Sequence, residues 1–450
     1  MSEHGPAQTK LPHATKALLL LLGLNLLNYG DRQVLNALAP KVIQEFHLSE
    51  AQFGYTTSVF VYAYMLAAPF LGQMALRMSR WWLIAGCVVI WSLSSGFCLS
   101  GSVASGFAFL LTMRIIVGIG EAGYGPAAPA LLSDYFPPSI RGRVISIFYI
   151  AIPVGSALGF IYGGAMVPHW RYAFLGMMPL GLTMAVLCAL MKDPRTAPAA
   201  ATKPEPFFVT LKKLLRIPSY VANTGAMTAM TFVIGGMSVW TARYITFRKM
   251  SEAGIESHLA LPPTSELFQM AMQRQDQILA GVSKDFGIIV VVAGIASTLL
   301  GGLAGEWLRT KVRGAYLLVS GGAIIFAFPC MLAMIYLPFP YAWFAVFGAV
   351  FFLFFNTGPA NTALAGVTNS AMRGTAFAVN IFTIHAFGDA LSPALIGWLS
   401  TQVGWNKAFL IVSPLVLIAS AFWIIGSRYL HNDELRAEGK LAETGESSAS

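Results

Sequence analysis

Asp31 and Arg32 interrupt one long apolar run, near 15–39, and Arg114 and Glu121 interrupt another, near 104–133. A formal charge at the middle of a bilayer costs at least about 2.5 kcal/mol on insertion scales, so such a residue marks function by default. In the first run Asn25, Asn28, Arg32 and Asn36 recur at spacings of three and four. Those spacings put them on one helical face, with Asp31 at its edge, and the stripe must face a cavity or another helix because lipid cannot solvate it. Adjacent residues do not face each other on a helix, so a purely structural Asp31–Arg32 pair needs a third partner. Arg114 and Glu121 lie on nearly the same face, about 10.5 Å apart along the axis. Close mutual pairing is not expected of them; each is expected to meet a group between them or a partner on the first helix. Asp31, Arg32, Arg114 and Glu121 thus form a group of two acids and two cations, in which a carboxyl such as Glu121 can bind and release a proton. The plainer alternative is a network that only clamps helices one and four together.

The second half of the chain offers weaker signals. His385 and Asp389 are i, i+4 on the eleventh apolar run and can pair; His385 can also titrate, but one satisfied pair between helices explains both. With Asn356 and Asn361 on the tenth run they make a secondary polar site, and Asn380 lies on the eleventh. Phe232, Met237, Trp240, Phe351, Phe352 and Phe355 form an expected apolar wall, either plain helix packing or a chamber for a long-tailed ligand. Gly118-Ile119-Gly120-Glu121-Ala122-Gly123 matches GxGxxG formally, but it follows no strand and lies in an apolar helical run. Its small residues are expected to permit close helix approach, and the prolines at 126, 129, 153, 359 and 393 to bend helices.

The elements that carry these residues follow from composition. Only 11% of the 450 residues are charged, against about 25% in an ordinary soluble protein, and 56% are hydrophobic. That excludes a soluble globule, a disordered chain, collagen, a coiled coil and a disulfide scaffold, and leaves an all-α polytopic membrane protein. Twelve runs reach membrane-spanning length: near 15–39, 51–76, 81–101, 104–133, 143–166, 172–191, 217–245, 283–307, 314–336, 339–366, 374–401 and 406–430. Lys and Arg concentrate on one side of these spans, at Lys10, Lys16, Arg77, Arg80, Arg141, Arg143, the 192–216 connection, Arg309, Lys311, Arg313, Arg373 and the tail. Both termini are therefore expected in the cytoplasm, and the net charge of +9 sets topology rather than binding nucleic acid. The N-terminus carries no cleavable signal pattern. Cys87, Cys98, Cys188 and Cys330 lie inside apolar runs without metal or CxxC spacing; Cys87 and Cys98, about 16 Å apart on one helix, are too far apart to bridge.

The halves repeat. Gly72-Gln73-Met74-Ala75-Leu76-Arg77 answers Gly302-Leu303-Ala304-Gly305-Glu306-Trp307, and Gly125-Pro126-Ala127 with Arg141-Gly142-Arg143 answers Gly358-Pro359-Ala360 with Arg373-Gly374-Thr375. Two parallel six-helix repeats describe a secondary transporter that rocks. The expected organisation is an N-terminal bundle over 1–191, a proline-rich cytoplasmic linker over 192–216, a C-terminal bundle over 217–430 and a flexible tail over 431–450. The linker's end, Phe207 to Arg216, is basic on one side and apolar on the other: a short interfacial helix or an ordinary flank. In the other long connection, 246–282, Ser265 to Leu279 is expected as a separate helix capped by Ser265.

Asn28-Tyr29-Gly30-Asp31-Arg32 resembles the first-helix signature of the spinster family of the major facilitator superfamily. Val117-Gly118-Ile119-Gly120-Glu121-Ala122 looks like its fourth-helix signature. The run Ser146 to Gly159 is similar to its fifth helix, and Trp170-Arg171-Tyr172-Ala173-Phe174 continues the match. The specific resemblance covers mainly the N-terminal half; the C-terminal half fits the superfamily with less distinctive motifs. It implies the major facilitator fold and a lipid transporter coupled to protons, with Asp31 and Glu121 as protonation sites. Arg32 and Arg114, with Asn28 beside them, would hold an anionic headgroup or gate that protonation. Leu76 departs from the superfamily, which has an acid there that helps latch the cytoplasmic side; Glu306, at the matching place, would carry more of that role, in a gate with Arg77, Arg80 and Arg309.

The implied function is proton-coupled transport of lysophospholipids or sphingosine-phosphate-like lipids by alternating access, in the inner cell membrane, by a monomer. No cofactor or metal is expected beyond the proton gradient, and with no catalytic triad or phosphate loop the chain does not read as an enzyme. The alternatives are a carrier of small organic anions or drugs, with Arg32 and Arg114 on a carboxylate, and a passive lipid scramblase or non-transporting sensor.

Overall fold

A computed structural model describes residues 11–97, 106–194 and 207–439; Cys98, linker residues 195–206 and the tail from 440 lie outside the described residues. All regular structure among the described residues is helical. In chain order the helices are α1 (Ala14–Ala37), α2 (Ala39–Glu45), α3 (Glu50–Arg77), α4 (Arg80–Phe97), α5 (Gly106–Ala122) and α6 (Tyr124–Tyr135). They continue as α7 (Pro138–Ala165), α8 (Trp170–Ala189), α9 (Phe207–Leu214), α10 (Pro218–Glu252) and α11 (Glu266–Arg309). The remainder are α12 (Ala315–Ile324), α13 (Ala327–Tyr336), α14 (Ala342–Phe354), α15 (Thr357–Gly366), α16 (Ser370–Ile384), α17 (Ser392–Val403), α18 (Trp405–Val412) and α19 (Leu415–Ala437). Among the described residues eleven helical stretches are long and apolar enough to cross a membrane, several of them made of two of these helices end to end, such as Gly106–Tyr135. α1, with 24 residues, is a twelfth by length, and its polar stripe is what lowers its hydropathy.

Local chemistry sets the ends. Ser49 opens α3 with a reciprocal box: its hydroxyl accepts the Gln52 amide at 3.1 Å, and the Gln52 side chain accepts the Ser49 amide at 2.7 Å. Asn369 caps α16 through the Met372 amide at 3.0 Å. The expected separate helix over 265–279 is corrected. α11 runs unbroken for 44 residues, about 66 Å at 1.5 Å per residue and roughly twice the hydrocarbon thickness. Gly281 alone is too weak a breaker to divide it.

The chain forms two compact units: Met1–Ala200 with Val239–Val291, and Ala201–Ser238 with Val292–Ser450. In unit 1, α7 seats α1 closely, because Gly159 lets the α1 backbone in: a Cβ there would meet Gly30 O at 2.3 Å. Asn25 Nδ2 donates to Phe148 O at 2.9 Å, and Tyr124 Oη to Leu21 O at 2.7 Å, fixing α1 against α7 and α6. The segment Val239–Val291 belongs to this unit through Arg243 on Glu50 (Nε to Oε1, 2.8 Å), Lys41 on Asp276 (2.6 Å) and the Phe160–Phe286 ring pair at 4.9 Å. In unit 2, Asn223 of α10 ties three helices: its amide donates to Ala360 O at 2.9 Å and its carbonyl accepts Trp423 Nε1 at 2.7 Å.

Candidate functional site

The buried group of the first and fourth spans assembles as one cluster in unit 1, and its pairing is specific. Arg32 of α1 donates from Nε to Glu121 Oε2 of α5 at 2.7 Å, with Nη2 at 2.5 Å from the same oxygen. The Glu121 side chain is 1% exposed and the Arg32 side chain 26%, so the acid is sealed while the arginine is only partly covered. Tyr29, Phe60 and Tyr64 surround the Arg32 guanidinium at 5.1, 4.8 and 5.7 Å. The Arg114 guanidinium is 4.7 Å from the same Phe60 ring, so one aromatic serves both cations. Gly118 brings α5 within reach of α3: a Cβ there would meet Phe60 O at 2.4 Å, which is the close-approach role expected of the GxGxxG run.

Asp31 takes a different partner. Its Oδ1 accepts the Ser95 hydroxyl of α4 at 2.7 Å, beside a cavity of about 10 Å³ lined by Leu27, Trp91, Ser92, Ser95 and two methionines. Asp31 Oδ2 and Glu121 Oε1 accept no hydrogen bond among the described residues. Asn28 is buried in the same face, and Asn36 bonds Gln33 at 2.9 Å. Phe60, Tyr64 and Ser95 were not singled out by sequence; the i, i+4 spacing of Phe60 and Tyr64 on α3 is the signal that points to them.

The expected gate residues divide. Arg77 is exposed, whereas Arg80 is 4% exposed and grips two acids absent from the expected gate. Its Nη2 lies 2.7 Å from both Asp193 Oδ1 and Asp134 Oδ2, and Nε and the backbone amide reach Asp193 Oδ2 at 3.1 and 2.9 Å. Arg80 thereby fastens the start of α4 to the end of α6 and to the chain leaving α8. In unit 2, Tyr316 links Glu306 and Arg309: its hydroxyl donates to Glu306 Oε1 at 2.7 Å and accepts Arg309 Nη1 at 3.4 Å.

His385 and Asp389 do pair, with Nδ1 at 2.8 and 3.0 Å from the carboxylate oxygens, inside a π turn, His385–Asp389, that joins α16 to α17. Asn356 and Asn361 do not join them. Each donates to a carbonyl of its own neighbourhood, Leu353 O and Thr357 O, both at 2.8 Å, and neither hydrogen-bonds the His385–Asp389 pair. The expected apolar wall is corrected at Trp240, whose ring is fully buried against Phe53 at 5.6 Å in unit 1. The Phe351 ring meets Phe355 at a tilt at 5.6 Å and Phe352 edge-on at 5.3 Å in unit 2, and Phe232 is buried in α10.

The sequence profile of the Major Facilitator Superfamily matches residues 21–393. Protein spinster homolog 1 of Homo sapiens is 30% identical over 412 residues, covering 87% of this chain and 74% of its own length. The sphingosine-1-phosphate transporter SPNS2 of Xenopus tropicalis is 29% identical over 436 residues, covering 92% of this chain and 82% of its own length. Protein spinster of Drosophila melanogaster is 29% identical over 395 residues, covering 85% of this chain, which spans 61% of that protein's length. A crystal structure of a bacterial homolog of the human lysosomal transporter spinster, inward-facing and unoccupied, has the same fold, with a TM-score of 0.79 at 21% identity, covering 94% of this chain and 99% of that one. The chain belongs to the Major Facilitator Superfamily and, within it, to the spinster family, whose members are multi-pass membrane transporters and not enzymes.

Proposed function

We propose that the protein is a proton-coupled transporter of lysolipids or sphingosine-phosphate-like amphiphiles, working by alternating access in the cell membrane with both termini in the cytoplasm. The observation that carries this reading is the Arg32–Glu121 pair, a sealed carboxylate held by an arginine whose side chain is partly exposed. A buried charge without its partner is costly, by about 3–5 kcal/mol. The two halves of the pair are therefore linked to what each meets next. When a lipid phosphate takes Arg32, Glu121 loses its cation and binds a proton at an oxygen; when Glu121 gives up that proton, it reclaims Arg32 and the anion leaves. The two-acid, two-arginine cluster has no net charge, so a bound phosphate and a bound proton compensate each other. Arg32 offers a fork of donors suited to phosphate, and the rings of Tyr29, Phe60 and Tyr64 hold it in place. A spinster relative named as a sphingosine-1-phosphate transporter supports a single-tailed, phosphate-bearing cargo.

Proteoliposomes loaded with a fluorescent lysolipid and placed under an imposed pH gradient test this reading. The unsubstituted protein is expected to move the lipid faster with the gradient than without it, and Glu121→Gln and Asp31→Asn to lose that acceleration. Wild-type rates and gradient response in both variants would sink the coupling. Competition by soluble carboxylates but not by lysolipids marks a small-anion carrier, and lipid movement indifferent to the gradient marks a scramblase.

A further inference from the structure

The linker's short helix α9 has a surface divided into three sectors. At about 100° per residue, Thr210 and Leu214 fall together and face inward, at 1% and 0% exposure, where α9 packs on α16. Next around the helix come Phe207, Leu211, Leu215 and Phe208. Phe208 is 80% exposed, Leu215 61% and Phe207 52%, so the described protein leaves this apolar sector uncovered. Beyond it come Lys212, Arg216 and Lys213, all exposed, with Val209, 47% exposed, among them; Leu215 and Arg216 belong to the turn that follows α9. An apolar sector flanked by a cationic one matches the boundary between acyl chains and anionic headgroups, with each class of side chain meeting its complement.

Chain geometry fixes which surface is within reach. Only Leu215, Arg216 and Ile217 separate α9 from Pro218, the first residue of a membrane-crossing helix. The four steps from Leu214 to Pro218 span at most about 14 Å, so α9 stays within that distance of the start of α10. Its apolar sector also continues toward α10, where Val221 is 41% exposed.

We propose that α9 is a membrane-surface anchor for anionic phospholipid: Phe208 and Leu215 enter the acyl boundary, and Lys212, Lys213 and Arg216 bind the headgroups. Each cation near an anionic surface adds attraction that salt screens. The anchored helix holds α16 from the membrane side.

The test attaches an environment-sensitive fluorophore to single cysteines introduced at Phe208, Leu215, Lys212 and Arg216, in nanodiscs of phosphatidylcholine with or without phosphatidylglycerol. Cys87 and Cys188 are buried, and labelling of the unsubstituted chain sets the background. All four positions are exposed, so the variants are expected to fold. The expected result is strong quenching by brominated lipid at 208 and 215, strong quenching by aqueous iodide at 212 and 216, and deeper shielding at 208 when phosphatidylglycerol is present. Replacing Lys212, Lys213 and Arg216 by Gln should abolish the phosphatidylglycerol effect at 208. Equal iodide access at all four positions would overturn the proposal. So would shielding at 208 and 215 that appears only when two copies share a disc, since that places a second copy on this face.

Discussion

The ionic groupings of the two units are wired differently. In the buried cluster of unit 1 the links join separate helices: Arg32 of α1 to Glu121 of α5, Asp31 of α1 to Ser95 of α4, and Phe60 of α3 to both guanidiniums. In unit 2 His385 and Asp389 bond within one π turn, each about a third exposed. A link between helices changes when they move past each other, so a proton placed on it biases that motion. A link within one element survives rigid-body motion unchanged. The proposed coupling therefore lies in unit 1, although π turns recur at functional sites and the His385 turn is held tightly against α10, where a Cβ on Gly235 would meet Asp389 Cβ at 2.4 Å.

Four single substitutions, two of them with a control variant beside them, probe that contrast in descending order of effect. Arg32→Ala strands the Glu121 carboxylate and is expected to cost about 3–5 kcal/mol, with transport lost. Removing both charges as Arg32→Ala with Glu121→Ala should recover most of the thermal midpoint in detergent but none of the transport; recovery of neither, or of both, contradicts the pairing. Ser95→Ala deletes the hydroxyl donor to the buried Asp31 carboxylate and should lower stability by about 1.5–3 kcal/mol, with Ser95→Thr closer to the unsubstituted protein in the same melt. Gly159→Ala forces α7 off α1 and is expected to cost about 1–3 kcal/mol, because the Gly30 carbonyl is backbone and cannot swing aside. Asp389→Asn breaks a partly exposed pair and should cost under about 1 kcal/mol. A midpoint drop there as large as that of Arg32→Ala would erase the distinction between the units.

Composition and apolar run length were enough to define the spans, and helical spacing placed Asp31, Arg32, Arg114 and Glu121 on faces that could meet. Spacing along one helix cannot say which partner a neighbouring helix supplies. Arg32 chose Glu121, and Asp31 chose a serine that resembles any other small residue in α4. Trp240 shows the same limit: its run was legible as a span, but which unit covers the ring is a tertiary matter. Arg80 was legible as a basic residue at a helix start, while its acids, Asp134 and Asp193, come from two distant stretches of chain. The helix over 265–279 was legible as helix; its fusion with the eighth span was not, because packing overrides a lone glycine.

The proposed exchange, in which a phosphate replaces Glu121 at Arg32 and a proton replaces Arg32 at Glu121, is tested most directly by counting protons on binding. Lysophosphatidic acid is added to the purified protein in weakly buffered detergent solution while pH is recorded and binding is followed by calorimetry. Linkage sets the expected result: uptake of about one proton per ligand bound by the unsubstituted protein, beyond the little taken up with Glu121→Gln. Equal uptake by the two proteins, with binding shown in both, would contradict the exchange.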